Sequence, residues 1–202
     1  MVLEQGYLSA VLEAFDSNPG IGGVTGMITN GKGPTKLVDR IFPRIFFLTE
    51  FGDGKIKPSG FPTYRRDADP ADIEILSGCN MIYSREVVSR FLFDENLTGY
   101  SYMEDVDFSY RVSRCYRLVY QPKAKLQHFP TSYRQTNSRL RKAMLIRNQL
   151  YLARKNFPQR ACHLYAIAVS IIGQLLYNIA VSKDFGACRG VVDGVLGRGR
   201  IK

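Results

Sequence analysis

The sequence contains no tryptophan and only two histidines, His128 and His163. Because tryptophan is a common anchor for sugars and at interfaces, any such contact in this chain must be made by other residues. The four cysteines, at positions 79, 115, 162 and 188, include no Cys-x-x-Cys pair, so the usual zinc and redox motifs are excluded. We expect reduced thiols in a cytosolic protein. The first ten residues lack a basic start followed by an apolar run, so no signal peptide is predicted.

Acidic residues are missing from a long central part of the chain. Residues 1–107 hold 10 basic and 16 acidic residues, whereas residues 108–183 hold 14 basic residues and no Asp or Glu. The net charge of +10 is therefore concentrated in the second half. A basic segment of this kind suits diphosphates, anionic lipid head groups or nucleic acid, and a solubilising surface is the plainer alternative.

The composition and the hydrophobic pattern predict one folded α/β domain. Hydrophobic residues make up 45% of the 202 residues, which is enough for a core. Residues 30–72, rich in Gly, Pro and charge, are expected to form a variable segment that flanks a site. The periodicity predicts helices over 4–16, 84–93, 104–115 and 137–156, and strands over 21–29, 75–83, 117–121 and 125–128.

Residues 161–182 form a run of 22 residues without a charged side chain, flanked by basic residues on both sides. The run includes His163, Gln174 and Asn178, so it is not a clean membrane span. Three interpretations remain, namely a core helix, a helix lying among lipid head groups, and a true span. The basic neighbourhood favours the head-group interpretation.

The most informative segment is residues 93–111, FDENLTGYSYMEDVDFSYR. It places Glu104, Asp105 and Asp107 at the start of a predicted helix. Carboxylates at a helix start lie in the positive end of the helix dipole, which favours their ionised form. An ionised, well-placed Asp can take a proton from a hydroxyl group. The alternative is an ordinary solvated helix N-terminus, where acidic residues are common.

Several segments, in order, resemble the C-terminal half of family 2 glycosyltransferases with the GT-A fold. They are LSGCNMIYSREVV (76–88), FDENLTGYSYMEDVDFSYRVSR (93–114), VYQPKAKLQHFPTS (119–132), RNQLYLARKNFP (147–158) and a rhamnosyltransferase-like tail, RGVVDGVLGRGR (189–200). The resemblance implies a partial GT-A, Rossmann-like α/β fold that lacks the N-terminal nucleotide-binding half. It also implies two parts, the acceptor side of a catalytic domain over residues 1–133 and a basic, apolar, membrane-associating helical extension over residues 134–202.

The resemblance assigns roles to the acidic cluster. The Asp that matches Asp105 is the expected catalytic base, which deprotonates the acceptor hydroxyl for an inverting attack on the anomeric carbon of the sugar. Glu104 would position the acceptor or the base. Asp107 completes the EDxD pattern of the family among the substrate-binding residues, and its spacing also allows it to support the helix start or to pair with Arg111, its i+4 neighbour.

The same resemblance implies further substrate-binding residues, namely Gly78, Cys79, Asn80, Arg85, Arg147 and Asn148. The first three match a small-residue turn between donor and acceptor sites, where a glycine lets the backbone approach a sugar or phosphate. A glycine in a buried strand is the alternative there. The arginines suit phosphate because the guanidinium group is a planar fork of donors.

His128 matches a family position at which a histidine helps to hold the metal or the donor diphosphate. The alternative is a structural histidine at a strand end, and His163 is expected to be structural. Complete members carry an Asp-x-Asp motif that holds Mg²⁺ or Mn²⁺ on the donor diphosphate. This chain resembles a fragment without that motif, and we interpret Asp67-Ala68-Asp69 as a chance match in a polar loop.

The leading hypothesis is an inverting glycosyltransferase that uses a nucleotide diphosphate sugar at the inner face of the cell membrane, in surface polysaccharide synthesis. Without tryptophan the QxxRW motif of processive synthases cannot exist, so the resemblance points to single additions onto a glycan or lipid-linked acceptor. The alternative is a non-catalytic remnant that binds an anionic membrane surface or a partner. Nucleic-acid binding ranks lower, because no compact basic patch with stacking aromatics is evident. Homo-oligomerisation is left open.

Overall fold

The computed structural model describes residues 1–31, 37–98, 102–129, 137–158 and 160–198, and the α/β class predicted from the sequence is confirmed. The strands are β1 (Val2–Leu3), β2 (Ile21–Ile28), β3 (Ala71–Ile73), β4 (Ile82–Tyr83) and β5 (Arg117–Gln127). The helices are α1 (Tyr7–Ser17), α2 (Leu37–Ile45), α3 (Arg85–Arg90), α4 (Glu104–Ser113), α5 (Ser138–Asn156), α6 (Ala161–Ala180) and α7 (Phe185–Val195).

The sheet is mixed and is centred on β2 and β5, which run parallel. On the far side of β5, β3 pairs with its start and β1 with its end, both antiparallel. β4 pairs antiparallel with β2 and closes the other side. Because β2 and β5 are parallel, their carboxyl ends meet at one border of the sheet, where Ile28 lies beside Leu126. We call this border the carboxyl edge, the usual place for ligand sites in α/β proteins.

Helices cover both faces of the sheet. On one face, α1 packs Tyr7, Val11 and Ala14 against β2 and β5. On the other face, α3 and α4 pack Val87 and Phe108 against the same strands. Strands that are covered on both faces become almost continuously apolar, which is why the IGGVTGMI run of β2 lacks polar alternation.

Two strand predictions were wrong. Of residues 75–83, only Ile82–Tyr83 forms a strand, and the residues before it form a loop. Ile75 and Leu76 are buried in two different clusters, so their apolar character reflects burial and not pairing. The two short strands predicted over 117–121 and 125–128 are one continuous β5, whose pairing with β2 is irregular near Pro122, a residue without a backbone N–H.

The C-terminal helices form a second layer that packs through α5. Leu145 and Leu152 of α5 join a cluster with Met103 and Val106 at the start of α4. On its other side α5 packs closely against α7, and α6 also contacts α7. The domain boundary predicted between residues 133 and 134 lies outside the described residues, which omit 130–136.

The faces of α6 are largely reversed relative to those of an ordinary surface helix. Its buried side carries Ser170, Gln174 and Asn178 together with Ala166, Ile167 and Gly173. Its exposed side carries large apolar residues, namely Leu164, Tyr165, Ile172, Leu176 and Ile179. Within the described ranges α6 is the one helix that is long and apolar enough to cross a membrane by length and composition. Polar side chains turned toward protein, with apolar ones outside, are typical of helices whose outer face is covered by lipid or by another chain.

Candidate functional site

The predicted acidic segment does begin a helix. The residue before it, Met103, has a φ of 70°, a left-handed conformation that costs a bulky residue roughly 1–2 kcal/mol. Met103 is buried against Leu97 and Val106, and this packing holds the turn in place. The turn directs the first residues of α4 toward the loop over residues 76–80. Glu104 is exposed there, and Asp105 is half-buried.

The carboxylate of Asp105 is held by two backbone donors. The N–H of Gly78 donates to Oδ2 at 2.7 Å, and the N–H of Val106 donates to Oδ1 at 2.9 Å. Burial raises the pKa of Asp105 above its ordinary value, although both hydrogen bonds act in the opposite direction. The sequence predicted only the effect of the helix start, which favours ionisation. A carboxylate with a raised pKa is a stronger base than an ordinary surface Asp.

Gly78 has a specific steric reason to be glycine. A Cβ atom at this position would lie 3.1 Å from Oδ2 of Asp105. The glycine therefore lets the backbone approach the carboxylate closely, whereas the sequence analysis expected it to admit a sugar or phosphate. Gly78 is exposed, so the Gly78–Asp105 pair faces solvent.

The two residues that follow this glycine differ in role. Cys79 is half-buried, with its Sγ 3.3 Å from Oγ of Ser77. Asn80 is buried and holds the loop to the sheet, because its Nδ2 donates to the carbonyl of Gly26 at 2.9 Å. The hydroxyl of Tyr7 donates to Asn80 Oδ1 at 2.5 Å. The substrate contact predicted for Asn80 therefore conflicts with its position, since the protein itself already uses both ends of the amide.

Tyr64 is a neighbour of Asp105 that the sequence analysis missed. The pKa of Tyr64 is raised well above its ordinary value, mainly by burial and further by the carboxylates of Asp105 and Glu50. Its phenol therefore stays protonated, and its ring packs against the cluster that contains Met103 and Val106 at the start of α4. The only sequence signal was the expectation that residues 30–72 flank a site, and no motif singled out this tyrosine.

Asp107 lies on the opposite side of α4 and is 0% exposed. Its Oδ2 accepts from Nε of Arg111 at 2.9 Å, so the predicted i+4 pair is confirmed. Nζ of Lys155 donates to Oδ1 at 2.9 Å, and Nδ2 of Asn156 donates to the same oxygen at 2.8 Å. The substrate-binding role predicted for Asp107 conflicts with this burial, because no surface of the carboxylate is left for a ligand.

Asn148 lies close to the start of α4, and Arg147 precedes it on α5. Nδ2 of Asn148 donates to the carbonyl of Tyr102 at 2.8 Å, which ties α5 to the turn that precedes Glu104. Asn148 is buried, so its role here is to position that turn. Arg147 is half-buried beside it, with Nε 3.3 Å from Oδ1 of Asn148.

Arg85 is not brought to this site. β4 runs antiparallel to β2, with Asn80 beside Gly26 and the N–H of Ser84 bonded to the carbonyl of Gly22. Four residues of strand separate these two points, a distance of roughly 13 Å. Arg85 is exposed toward the edge opposite to Gly78, and its predicted substrate-binding role stays a prediction.

His128 follows β5 at the carboxyl edge. Its backbone N–H donates to Oδ1 of Asn30 at 2.9 Å, and Nδ2 of Asn30 donates to its carbonyl at 3.0 Å. The loop over residues 76–80 extends toward the same edge, because Asn80 lies beside Gly26. The expectation for His163 agrees with its contacts, since the ring stacks on Phe157 with centroids 5.9 Å apart.

A metal site is not assembled in the described ranges. No group of three His, Cys, Asp or Glu side chains lies close enough there to hold an ion. The resemblance places the main Asp-x-Asp ligands outside this chain, so the expected Mg²⁺ or Mn²⁺, with His128 as one ligand, stays a prediction. Asp67, half of the chance Asp-x-Asp, is instead paired with Arg65 at 2.6 Å. All four cysteines are free thiols, as predicted.

Comparison with protein-family models, with curated proteins and with solved structures finds no match to this chain. Any statement about function therefore depends on the residues and on their arrangement. The arrangement centres on one exposed edge of the structure, where Asp105, Gly78, Glu104, Tyr64 and Arg147 lie on or near the turn that begins α4.

Proposed function

We propose that this chain is an inverting family 2 glycosyltransferase of the partial GT-A type, acting with its acceptor side, and that Asp105 is the base. The observation that carries the proposal is the Asp105 carboxylate, fixed by two backbone donors and facing an exposed glycine loop. The acceptor is a glycan or a lipid-linked glycan, and the donor is a nucleotide diphosphate sugar. The product belongs to a cell-surface polysaccharide.

The proposed reaction is a single displacement. The acceptor hydroxyl loses its proton to Asp105 as its oxygen forms a bond to the anomeric carbon. The bond from that carbon to the diphosphate breaks, and the nucleoside diphosphate leaves with the electron pair. Burial raises the pKa of Asp105, which strengthens the base, and the N–H of Gly78 orients the carboxylate. Because attack comes from the face opposite to the leaving group, the anomeric configuration inverts.

Neighbouring residues take supporting parts in this proposal. Glu104, exposed beside Asp105, positions acceptor hydroxyls. Arg147, half-buried on α5, contributes a cation for phosphate oxygens. Asn148 and Gly78 position the turn and the base. No step is routed through a metal, because the described residues do not form a site for one.

The proposed location is the inner face of the cell membrane, with the protein bound at the surface. Two features support it, the largely reversed faces of α6 and the absence of Asp and Glu between residues 108 and 183. A basic surface is attracted to anionic lipids, and the exposed apolar side chains of α6 can enter the head-group layer.

The proposal is tested by following the product. The chain would be incubated with nucleotide diphosphate sugars and with glycan or lipid-linked acceptors, and the anomeric configuration of the product would be determined by NMR. We expect one sugar to be added with inversion. Transfer with retention would contradict the assigned role of Asp105, because retention requires two displacements.

A second candidate is a non-catalytic remnant that binds a membrane surface or a partner. The lack of an assembled metal group among the described residues favours it. It predicts that the chain binds vesicles with anionic lipid, that added salt weakens this binding, and that no sugar is transferred from any donor. Transfer activity would exclude it.

A further inference from the structure

A cavity of about 840 Å³ lies between α2 and α6. We call it the α2–α6 cavity. Its walls are formed by α2, the segment over residues 48–51, α5 and α6, and they include the rings of Phe42, Phe51, Phe61 and Tyr177. The volume lies within the range of sites that hold small molecules or cofactors.

Close packing at one end keeps α2 against α6. A Cβ atom at Gly173 would overlap the Phe46 side chain, so only glycine allows this approach. The rings of Phe42 and Phe46 are tilted against each other with centroids 4.5 Å apart, and the Phe42 ring lies 5.6 Å from that of Tyr177. These side-chain contacts place α2 beside α6.

The polar wall of the cavity consists of two buried amides with unused donors. Gln174 and Asn178, one turn apart on α6, are 5% and 7% exposed. Within the described part of the chain, Nε2 of Gln174 and Nδ2 of Asn178 have no hydrogen-bond partner. Most buried polar groups in folded proteins are paired, so two neighbouring exceptions at one cavity indicate a ligand that supplies acceptors.

The orientation of both amides is fixed by other contacts. Nζ of Lys142 donates to Oε1 of Gln174 at 3.2 Å, and Oγ of Ser182 donates to Oδ1 of Asn178 at 3.2 Å. The ammonium group can only donate, so Oε1 of Gln174 is its accepting end, and the Ser182 hydroxyl is the donor to Oδ1 of Asn178. The NH₂ groups are therefore the ends left for a ligand, and the site offers donors.

The charges around the cavity favour an anion. Its lining includes the cations Arg40, Arg44 and Lys142, against the acids Asp39 and Glu50. Asp39 already accepts a hydrogen bond from the hydroxyl of Tyr177 at 3.0 Å, and Glu50 is exposed. Burial lowers the pKa of Lys142, a cost that a bound anion would relieve.

We propose that the α2–α6 cavity binds a phosphate group, whose oxygens accept hydrogen bonds from Gln174, Asn178 and Lys142. The phosphate is carried either by a lipid head group or by a soluble compound. This binding does not depend on the proposed transferase activity.

The test measures binding of inorganic pyrophosphate by calorimetry, and of vesicles of neutral lipid with or without phosphatidic acid by flotation. We expect Gln174→Leu, Asn178→Leu and Lys142→Met each to weaken binding by about tenfold, since a hydrogen bond to a charged group is worth roughly one decade or more. Lys123→Met is the matched control, because Lys123 is exposed on β5 and its ion pair with Glu13 is long, at 3.5 Å. It should bind as the wild type does.

The two sources of phosphate are separated by the same experiment. If the protein binds tightly to phosphatidic acid vesicles, and pyrophosphate releases it from them, the ligand is a lipid head group. If the protein binds pyrophosphate but not the vesicles, the ligand is a soluble compound. The proposal is overturned if neither probe binds, or if the three cavity variants bind as tightly as the control.

A direct measurement covers the case in which a cavity variant fails to fold. In the wild-type protein the side-chain NH₂ signals of Gln174 and Asn178 should shift in NMR spectra when pyrophosphate is added. Unchanged signals at saturating pyrophosphate would contradict the proposal, even if binding occurs elsewhere. Sugar transfer enters none of these measurements, so a failure here is distinct from a failure of the proposed function.

Discussion

Two carboxylates on α4, separated by a single residue, occupy opposite environments. Asp107 has no exposed surface and is paired with Arg111 and Lys155. Asp105 is half-buried, accepts its hydrogen bonds from backbone N–H groups, and has a pKa raised by burial. Both are near a helix start, so the dipole acts on both and cannot explain the difference.

The comparison shows which acid stabilises the fold and which is available for chemistry. A buried carboxylate paired with cations holds elements together, and removing it leaves those cations uncompensated. A carboxylate that is desolvated without a cationic partner destabilises the fold, an arrangement that is common at functional sites. We therefore assign Asp107 to stability and Asp105 to function.

The largest expected effect on stability is at Asp107. Asp107→Ala should lower the free energy of unfolding by about 3 kcal/mol, because it leaves Arg111 without its carboxylate and Lys155 with Asp94 alone. Urea denaturation measures this loss. The matched control is Asp72→Ala, which removes an exposed acid paired with Arg117 and should cost less than about 1 kcal/mol. Equal losses in both variants would contradict the assignment.

A double-mutant cycle sharpens the comparison. Asp107→Asn and Lys155→Met should couple by about 1–3 kcal/mol, because the two charges are 2.9 Å apart in a buried network. Burial lowers the pKa of Lys155, but its hydrogen bonds to Asp94 and Asp107 raise it overall, in keeping with a strong pair. Asp105→Asn and Lys155→Met should not couple. Coupling of similar size in both cycles would show that the two acids share one network.

A smaller effect is expected at Gly78. A Cβ atom there would press on Oδ2 of Asp105, so Gly78→Ala should displace the carboxylate by a few tenths of an ångström. We expect the free energy of unfolding to change by less than about 1 kcal/mol, because the lower entropy of the unfolded chain offsets the contact. Sugar transfer should fall about tenfold, since catalysis is sensitive to such misplacement. Unchanged transfer would remove Gly78 from the positioning of the base.

The smallest effect is a difference in pH dependence. Because the folded pKa of Asp105 is raised, its contribution to stability is fully present below the unfolded pKa of about 3.9 and is lost as pH rises through the folded pKa. The side chain of the Asp105→Asn variant does not titrate. The unfolding free energy of this variant minus that of the wild type should therefore increase as the pH rises from the unfolded to the folded pKa of Asp105. Urea titrations between pH 4 and 7 measure the difference. A difference that stays constant or decreases would contradict the raised pKa.

Local sequence patterns predicted part of this site. The i+4 spacing of Asp107 and Arg111 lies within one helix, so the pair could be predicted without tertiary information. Lys155 is 48 residues away in sequence, and Tyr64 comes from a segment without a regular pattern, so only the folded chain shows their proximity. The separation of Arg85 from Gly78 was not predictable for a similar reason, because the direction of β4 is set by its pairing with β2.

The fold, like the site, could be predicted only in part from the sequence. Alternating helix and strand patterns were sufficient for the α/β class, whereas burial of Ile75 and Leu76 in a loop imitated a strand. The uncharged run over 161–182 predicted a helix but not its faces. The inward side of α6 is fixed by contacts of Gln174 with Lys142 and of Ser170 with Gln149, which no local pattern reveals.

The central claim is that Asp105 removes the acceptor proton. The most direct measurement is the rate of sugar transfer by the wild type, by Asp105→Asn and by the exposed control Asp72→Asn, at saturating donor and acceptor. Loss of a general base lowers the rate by about 10²–10⁴-fold, so we predict such a loss for Asp105→Asn and a wild-type rate for Asp72→Asn. Equal rates in the wild type and Asp105→Asn would contradict the account.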